Sequence, residues 1–548
     1  MPTDFALPLE RFYHWESSTP DRVYLRQAKE GKWEDYTWAQ LGKHARQLAN
    51  YLKQKEYPEG SRIAIYSQNS PDWFVADFAI MMSGHISVPL YPGQSSESLR
   101  YVLEHSECRL ILLGAADKPE NIERTLDGLN LDRIGLQGCG NECDSTLDGI
   151  SQSYSPLLEN PVPDEDRIYT LMYTSGTTGH PKGVIHHFEN AALCATVMQK
   201  DFRLDENSRF FSYLPLSHTA ERILVLLNSL YAGAVVHFPE SMATFNADLQ
   251  RASPTFFFSV PRLWKKFKEG VESQLSPGVI DSMLADPEKA EGFRHQVQKQ
   301  LGLHDADIII TGSAPTPIDV LLWFQKLGMI LRNGYGMTEN CIHGCIDLDE
   351  HPTMGTVGRP LTGCEVTIGE GDEILFRSPA LMKGYYREPE KTAEVLRDGY
   401  YYTGDTGRID DEGRLTVTGR LGEAFKTTKG KFVKPTHIEN VMADIPCLGQ
   451  MCAMGHGMEA PVLLAGLNEL GADWKPEKVE SCIIQMLPDL NRRLSHHEQI
   501  STVFLVRDEW TIENGLLTPT MKMIRNAIVK RYEAAVNALP GDGAVAWE

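Results

Sequence analysis

Residues 173–183 combine the residue types that bind polyphosphates. The segment reads Tyr-Thr-Ser-Gly-Thr-Thr-Gly-His-Pro-Lys-Gly, with three glycines, three threonines, one serine and one lysine. Glycines let backbone N–H groups approach an anion closely, hydroxyls donate hydrogen bonds, and Lys182 adds a point charge. A strand-like run precedes the segment at 168–172, and a helix-like stretch follows at about 189–200. The pattern therefore predicts a phosphate-binding loop between a strand and a helix.

This loop departs from the usual P-loop. The P-loop motif is Gly-x4-Gly-Lys-Ser/Thr, whereas here Pro181 precedes Lys182 and Gly183 follows it. Proline has no N–H to offer a phosphate, and no hydroxyl follows the lysine to bind magnesium. A flexible surface loop is the alternative interpretation, because Gly, Ser and Thr are common in such loops.

Three further segments have side chains suited to a nucleotide site. Residues 333–339 follow an apolar strand and present an aromatic ring, a hydroxyl and a carboxylate. Residues 401–405 end in the carboxylate of Asp405, and Gly419-Arg420 follows shortly after. Each segment alone is a weak signal, because turns that contain Gly and Asp are common.

The elements that must position these segments alternate between strand-like and helix-like patterns. Strands are expected at 62–67, 86–90 and 109–113, and the alternation resumes from 210 to 327. This rhythm predicts parallel sheets covered by helices. Ligands of such sheets bind at the carboxyl ends of strands, and the loop at 173–183 lies at such an end.

The length predicts more than one domain. A chain of 548 residues exceeds what a single core supports. Residues 1–419 are expected to form a large α/β N-terminal domain of parallel sheets covered by helices, with a β-rich subdomain at about 355–418. Residues 425–548 mix short strands with helices and are expected to form a small α+β domain.

Composition and charge exclude several classes of protein. With 53 basic and 74 acidic residues the net charge is −21, which argues against nucleic-acid binding and against electrostatic docking on anionic lipid. No secretory signal or transmembrane segment is visible, so a cytoplasmic location is expected and peripheral membrane contact stays open. The ten cysteines lack zinc-site spacing, so reduced thiols are expected.

Taken together and in this order, the segments resemble the adenylate-forming (AMP-binding) superfamily of acyl-CoA synthetases, carrier-protein adenylation domains and luciferases. The resemblance covers nearly the whole chain and is strongest to long-chain fatty acyl-CoA synthetases. Besides the loop, it rests on Leu-Pro-Leu-Ser-His at 214–218, Gly-Ser-Ala-Pro at 312–315, Gly-Tyr-Gly-Met-Thr-Glu at 334–339, Gly-Tyr-Tyr at 384–386, Tyr-Tyr-Thr-Gly-Asp at 401–405 and Leu-Thr-Pro-Thr-Met-Lys at 517–522.

The resemblance implies where ATP would bind. The β- and γ-phosphates would lie on the loop, against Thr174, Ser175, Gly176, Thr177, Thr178 and Lys182. The adenine would stack on Tyr335, beside Gly336 and a wall formed by Gly312, Ser313 and Ala314.

It also implies catalytic roles. Thr338 would bind the α-phosphate, and Glu339 would hold Mg²⁺, a hard cation that takes oxygen ligands. Asp405 would accept hydrogen bonds from both ribose hydroxyls, with the guanidinium fork of Arg420 beside it. Lys522 would bridge the substrate carboxylate and the α-phosphate. The alternative for Lys522 is a solvated lysine at the start of a helix.

Three further positions concern the thiol step and the movement of the small domain. His218 would be a gate beside the acyl or thiol channel, or alternatively a hydrogen-bonded core histidine. Gly430 would line the coenzyme A channel, although Lys429 stands where long-chain relatives often have glycine. Gly422 lies in the implied hinge at 420–424, where the family commonly has Asp or Lys, and a glycine tolerates large dihedral changes.

The implied chemistry explains why cations must converge. Two unit charges 4 Å apart repel by roughly 4 kcal/mol at an effective dielectric constant of about 20, and Mg²⁺ and Lys522 would offset this as charge builds. The prediction is a fatty acid–CoA ligase that uses ATP, Mg²⁺ and coenzyme A on a medium- or long-chain acid, through an acyl-AMP intermediate. The alternatives are an adenylase that loads an acyl carrier protein, a luciferase-like oxidase and a nucleotide-binding protein without turnover.

Overall fold

Two large, mostly parallel sheets dominate the computed structural model, which describes residues 5–116, 119–174, 180–428, 430–512, 514–518, 522–539 and 543–548. Sheet 1 has eight strands, in the spatial order Gly384–Tyr385, Lys182–His187, Ile168–Thr174, Ile86–Leu90, Arg62–Tyr66, Cys108–Leu113, Asp132–Gly135 and Ser145–Thr146. Sheet 2 has nine, in the order Arg359–Pro360, Cys345–Ile346, Leu331–Tyr335, Ile308–Thr311, Phe256–Ser259, Arg209–Phe211, Val235–Phe238, Val23–Lys29 and Lys32–Thr37.

Three antiparallel or mixed sheets complete the fold. Sheet 3 is antiparallel and contains Glu365–Ile368, Glu373–Arg377, Leu396–Arg397, Tyr400–Ile409 and Leu415–Arg420. A two-stranded ribbon follows, with strands Phe425–Lys426 and Phe432–Val433. Sheet 4 is in the C-terminal part and contains Leu448–Met454, Val462–Leu467, Thr502–Leu505 and Val545–Trp547.

Helices separate most of the parallel strands. In the N-terminal part they are Pro8–Ser18, Trp38–Gln54, Pro71–Met82, Ser96–Ser106, Pro119–Leu126, Leu147–Ser153, Phe188–Asp201, Thr219–Glu221, Arg222–Leu227 (a π-helix), Asn228–Ala232, Phe245–Ala252, Pro261–Gln274, Pro277–Ala285, Pro287–Leu301, Ile318–Lys326, the 3₁₀ turns Thr338–Asn340 and Glu370–Asp372, and Pro389–Val395. In the C-terminal part they are Pro435–Met442, Glu469–Ala472, Pro476–Asn491 and Arg525–Asn537.

The C-terminal part has its own hydrophobic core. Buried side chains from 433 to 505 pack on one face of sheet 4, and a second cluster includes Trp510, Ile528 and Tyr532. Among the described residues, no apolar cluster mixes side chains from before 420 with side chains from after 424. The expected α/β class with a separate C-terminal domain is confirmed, while the exact boundaries and the hinge at 420–424 stay predictions.

The segment after the phosphate loop differs from the prediction. Strands Ile168–Thr174 and Lys182–His187 pair antiparallel, with Thr174 opposite Lys182, so the loop closes a hairpin. The helix expected at about 189–200 is present as Phe188–Asp201, but the strand Lys182–His187 between the loop and this helix was not predicted. The β-branched residues Val184 and Ile185 favour a strand here.

In the described parts of the chain, no helix has both the length and the apolar character needed to cross a bilayer.

Candidate active site

The carboxyl ends of two neighbouring strands bring the adenine-site candidates together. Strands Ile308–Thr311 and Leu331–Tyr335 are parallel partners, so the residues that follow them meet at one sheet edge. A Cβ added to Gly312 would lie 3.0 Å from the Gly334 carbonyl oxygen, and one added to Gly336 would lie 2.8 Å from Ile342 Cα. Gly336 therefore requires glycine, and a larger residue at 312 would be tightly packed against the Gly334 carbonyl.

The remaining wall residues lie beside this edge. Ser313 has a left-handed backbone with φ of 67° and is half-buried, whereas Ala314 is exposed. The ring of Tyr335 lies 5.6 Å from that of Phe376. Burial, and then the negative charge of Asp405, raise the pKa of the Tyr335 hydroxyl, so this phenol is a hydrogen-bond donor at neutral pH.

Asp405 is the centre of a short hydrogen-bonded chain between sheets 2 and 3. Tyr335 Oη donates to Asp405 Oδ2 at 2.6 Å, and Arg420 Nε donates to Asp405 Oδ1 at 2.7 Å. Asp405 and Arg420 are direct partners across antiparallel strands. A carboxylate has about four lone-pair positions, so Asp405 retains capacity to accept hydrogen bonds from a ligand.

One tyrosine connects the phosphate loop to the magnesium candidate. Tyr385 Oη donates to Glu339 Oε1 at 2.9 Å, and Lys182 Nζ lies 4.8 Å from the centroid of the Tyr385 ring. Strand Gly384–Tyr385 pairs with strand Lys182–His187, which explains why the two side chains meet. Burial raises the pKa of Tyr385, so its hydroxyl keeps its proton.

The turn that contains Thr338 and Glu339 contacts the segment at 214–218. Thr219 Oγ1 donates to Thr338 Oγ1 at 2.9 Å. His218 precedes Thr219 and is the N-cap of that short helix, where its Nδ1 accepts from Ala220 N at 3.1 Å. The imidazole therefore has its proton on Nε2. Burial, with a smaller contribution from the charge of Lys522, lowers the pKa of His218 to about 4, so this histidine is a neutral donor.

Lys522 reaches the same cleft from the C-terminal domain. Its backbone N donates to Thr518 Oγ1 at 3.1 Å, its carbonyl oxygen accepts from Thr518 N at 2.8 Å, and a bridge between Leu517 and Met523 closes the base of the loop. The residue keeps solvent contact, but surrounding protein atoms remove part of the hydration of its ammonium group.

The charges around Lys522 come from the N-terminal domain. Lost hydration and then repulsion by Arg420 lower the pKa of Lys522, while Asp405 and Glu339 act in the opposite direction. The structure thus brings Lys182, Glu339, Asp405, Arg420 and Lys522 to one cleft.

Some predicted site residues lie apart from this cluster, and others are outside the residues that the structure describes. Ser175, Gly176, Thr177, Thr178 and Lys429 lie outside the described residues. Thr174 is the last residue of its strand. Gly422 follows the end of sheet 3 with open space around it. Gly430 is in the turn of the two-stranded ribbon and has a φ of 75°. Its role in the coenzyme A channel stays a prediction.

Sequence reasoning missed the roles of Tyr385 and Thr219. Tyr385 was visible only as part of the Gly-Tyr-Tyr motif at 384–386, and Thr219 directly follows the motif at 214–218. Their contacts join residues 46 and 119 positions apart, which no local pattern reveals.

Family comparison matches both parts of the chain. The AMP-binding enzyme family matches residues 12–386, and the AMP-binding enzyme C-terminal domain matches residues 424–540. The chain is 27% identical to the long-chain-fatty-acid–CoA ligase FadD15 of Mycobacterium bovis, over 96% of each chain. It is 26% identical to long chain acyl-CoA synthetase 2 of Arabidopsis thaliana, over 98% of this chain and 93% of that protein.

Solved structures show the same fold. The anthranilate CoA ligase AuaEII in complex with anthranoyl-AMP superposes with a TM-score of 0.80 at 19% identity, over 97% of this chain and 98% of that one. ATP-bound MatB from Rhodopseudomonas palustris gives 0.77 at 21% identity, over 97% and 100%. Since the family match spans most of the sequence and the fold agrees with it, the chain belongs to the AMP-binding enzyme family.

Proposed function

We propose that this protein is an AMP-forming acid–thiol ligase that converts a medium- or long-chain fatty acid to its coenzyme A thioester. The main support is the convergence of Lys522 of the small domain with Glu339, Asp405 and Arg420 of the large domain, whose charges act on its ammonium group. The preference for a fatty acid rests on the nearly full-length similarity to proteins named long-chain fatty acyl-CoA ligases.

ATP would bind across the edges of sheets 1, 2 and 3. Tyr335 offers its ring to the adenine, and Asp405 accepts from the ribose hydroxyls through its remaining lone pairs. Lys182, at the end of the hairpin, pairs with the terminal phosphates. The ring of Tyr385 holds the Lys182 ammonium by a cation–π contact, so the lysine is already oriented before ATP arrives.

Glu339 fits a magnesium ion bound together with ATP. Mg²⁺ prefers one or two carboxylates plus substrate phosphates, and Glu339 is a carboxylate already oriented by Tyr385. When bound, the ion would neutralise charge on the phosphate oxygens. Thr338, fixed by Thr219, would donate to the α-phosphate.

In the first half-reaction, an oxygen of the fatty carboxylate attacks the α-phosphorus of ATP. The bond from that phosphorus to the bridging oxygen breaks, pyrophosphate leaves, and acyl-AMP remains. Lys522 would lie between the two anions and stabilise the charge that builds on the α-phosphate, which is strongest where donors are preorganised. Because the pKa of Lys522 is lowered, the ammonium group loses its charge at a lower pH than an ordinary lysine does.

In the second half-reaction, the thiol of coenzyme A attacks the acyl carbonyl carbon. The thiol gives its proton to the surrounding water, a thioester bond forms, and the bond from the carbonyl carbon to the phosphate oxygen breaks to release AMP. His218 cannot serve as the base at neutral pH, because its Nδ1 is engaged and burial lowers its pKa to about 4. It would instead donate from Nε2 beside the reacting groups.

The test is pyrophosphate release from ATP across fatty acids of increasing length, with and without coenzyme A. Acid-dependent pyrophosphate release, and AMP release only when coenzyme A is added, are expected. ATP binding without acid-dependent pyrophosphate release would instead support a nucleotide-binding protein without turnover. AMP release that requires an acyl carrier protein would reassign the acceptor. The cytoplasmic location remains a prediction from the sequence.

A further inference from the structure

Three aromatic rings are stacked beside the phosphate loop. Tyr101 and His105 lie one turn apart on helix Ser96–Ser106, with ring centroids 5.3 Å apart and planes inclined by 15°. The ring of His180 also stacks on Tyr101, with centroids 4.5 Å apart and planes inclined by 14°. His180 is two residues before Lys182, so the stack contacts the C-terminal limb of the loop.

The same helix also contacts the N-terminal limb. His105 Nδ1 and Tyr173 Oη are 2.8 Å apart, and the two rings meet edge to face at 5.8 Å and 87°. Burial lowers the pKa of His105 and raises that of Tyr173, so a hydrogen bond between two neutral groups joins the helix to the loop. Tyr173 is paired with Gly183 across the hairpin. One helix therefore contacts both ends of the loop.

We propose that Tyr101 and His105 are positioning residues that hold the two described ends of the phosphate loop, Tyr173 and His180, and that Tyr101 positions the neighbouring Lys182 through its stack on His180. This inference rests on the proposed function, because it assumes that the loop binds the terminal phosphates of ATP. A phosphate-binding lysine whose neighbours are already ordered loses less conformational entropy when the ligand arrives. The contacts of Tyr101 and His105 should therefore affect the binding of ATP and pyrophosphate but not that of the fatty acid.

The size of the effect follows from the ring contacts. A stacked aromatic pair changes an equilibrium by about 2- to 12-fold beyond its buried area. His180 is exposed and Tyr101 is half-buried, so substitutions at these positions should affect ATP binding more than the stability of the fold.

The experiment measures ATP binding by calorimetry and KM for ATP and for fatty acid by pyrophosphate release. Y101L and H180A remove the stack, while Y101F and H180F keep a ring. We expect Y101L and H180A to weaken ATP binding by about 3- to 10-fold, with the KM for fatty acid and the unfolding temperature unchanged. The phenylalanine variants should stay within about twofold of wild type, and Y101L/H180A should be no weaker than the worse single variant.

H295A is the matched control, because His295 is an exposed helical histidine paired with another ring, that of His304, at 5.8 Å. Unchanged ATP binding in both Y101L and H180A would overturn the inference. So would an H180F variant as weak as H180A, since that result would assign the histidine a direct contact with phosphate. A wild-type protein that binds ATP but releases no pyrophosphate would contradict the proposed function alone. Calorimetry on the variants would still test whether Tyr101 and His180 support ATP binding.

Discussion

Two lysines belong to the candidate site, and the structure holds them in different ways. Lys182 begins a strand of sheet 1, and its ammonium group lies over the ring of Tyr385 in the same domain. Lys522 lies in a loop of the C-terminal domain, and the charges that act on it, those of Arg420, Asp405 and Glu339, belong to the other domain.

This contrast shows that the two cations depend on different parts of the fold. The position of Lys182 is set once sheet 1 has formed. The position of Lys522 depends on how the two domains meet, so we expect a movement of the small domain to withdraw it while Lys182 stays in place. Phosphate binding and catalysis of adenylation can therefore be impaired separately.

Replacing Lys522 is expected to have the largest effect, which is on the rate of adenylation. We expect K522A to lower the rate of acid-dependent pyrophosphate release by roughly 10² or more, by analogy with the loss of one preorganised donor, while ATP affinity changes little. K530A, which removes an exposed lysine from the following helix, is the control. Unchanged pyrophosphate release in K522A would end the assignment of this lysine.

Lys182 should show the opposite pattern. Hydrogen bonds to charged groups contribute about 1.5–3 kcal/mol, so K182A should weaken ATP binding by roughly 10- to 100-fold. Calorimetric titration with ATP measures this directly. If K182A bound ATP normally and lost only the rate, the two lysines would not differ in the way proposed.

The hinge prediction tests whether domain position matters. Gly422 has open space around it, so a proline there would restrict the backbone without a steric clash from neighbours. We expect G422P to slow thioester formation from preformed acyl-AMP severalfold more than it slows pyrophosphate release. Equal loss in both half-reactions, measured separately, would argue against a hinge at this residue.

The smallest effect is a shift in pH dependence. Because the pKa of Lys522 is lowered, its charge is lost at a lower pH than that of an ordinary lysine, and adenylation should decline as pH rises through that value. K522R should retain its charge and move this alkaline decline to higher pH, since arginine stays protonated. K182R should leave the decline where it is. An identical profile for K522R and wild type would show that another group titrates.

The sequence predicted the parts of the fold that local patterns encode. The alternation of apolar segments predicted the parallel sheets, and the Gly-rich composition of 173–183 predicted a ligand loop. It missed the strand Lys182–His187 because only Val184 and Ile185 of its six residues are β-branched, and they stand between a glycine and two histidines. Its pairing with Ile168–Thr174 and Gly384–Tyr385 stabilises it.

Within the site, charged residues in motifs were predictable and their supports were not. Adjacent Glu221 and Arg222 illustrate the reason. Arg222 is buried and pairs with Asp77 at 2.5 Å, whereas Glu221 accepts from Ser212 Oγ at 2.7 Å. Consecutive helical side chains point in different directions, so neighbours in sequence acquire partners from distant segments.

Because Asp405 and Arg420 are cross-strand partners, their contact depends on the correct register of the two strands. Side chains alternate between the faces of a sheet, so a one-residue slip of strand Leu415–Arg420 would send Arg420 to the opposite face from Asp405. A misregistered chain would thus lack the hydrogen bond from Arg420 to Asp405, the residue proposed to bind the ribose. Since a ligand stabilises only the state that binds it, cellular nucleotide would selectively enrich correctly registered molecules and leave the others to proteolysis.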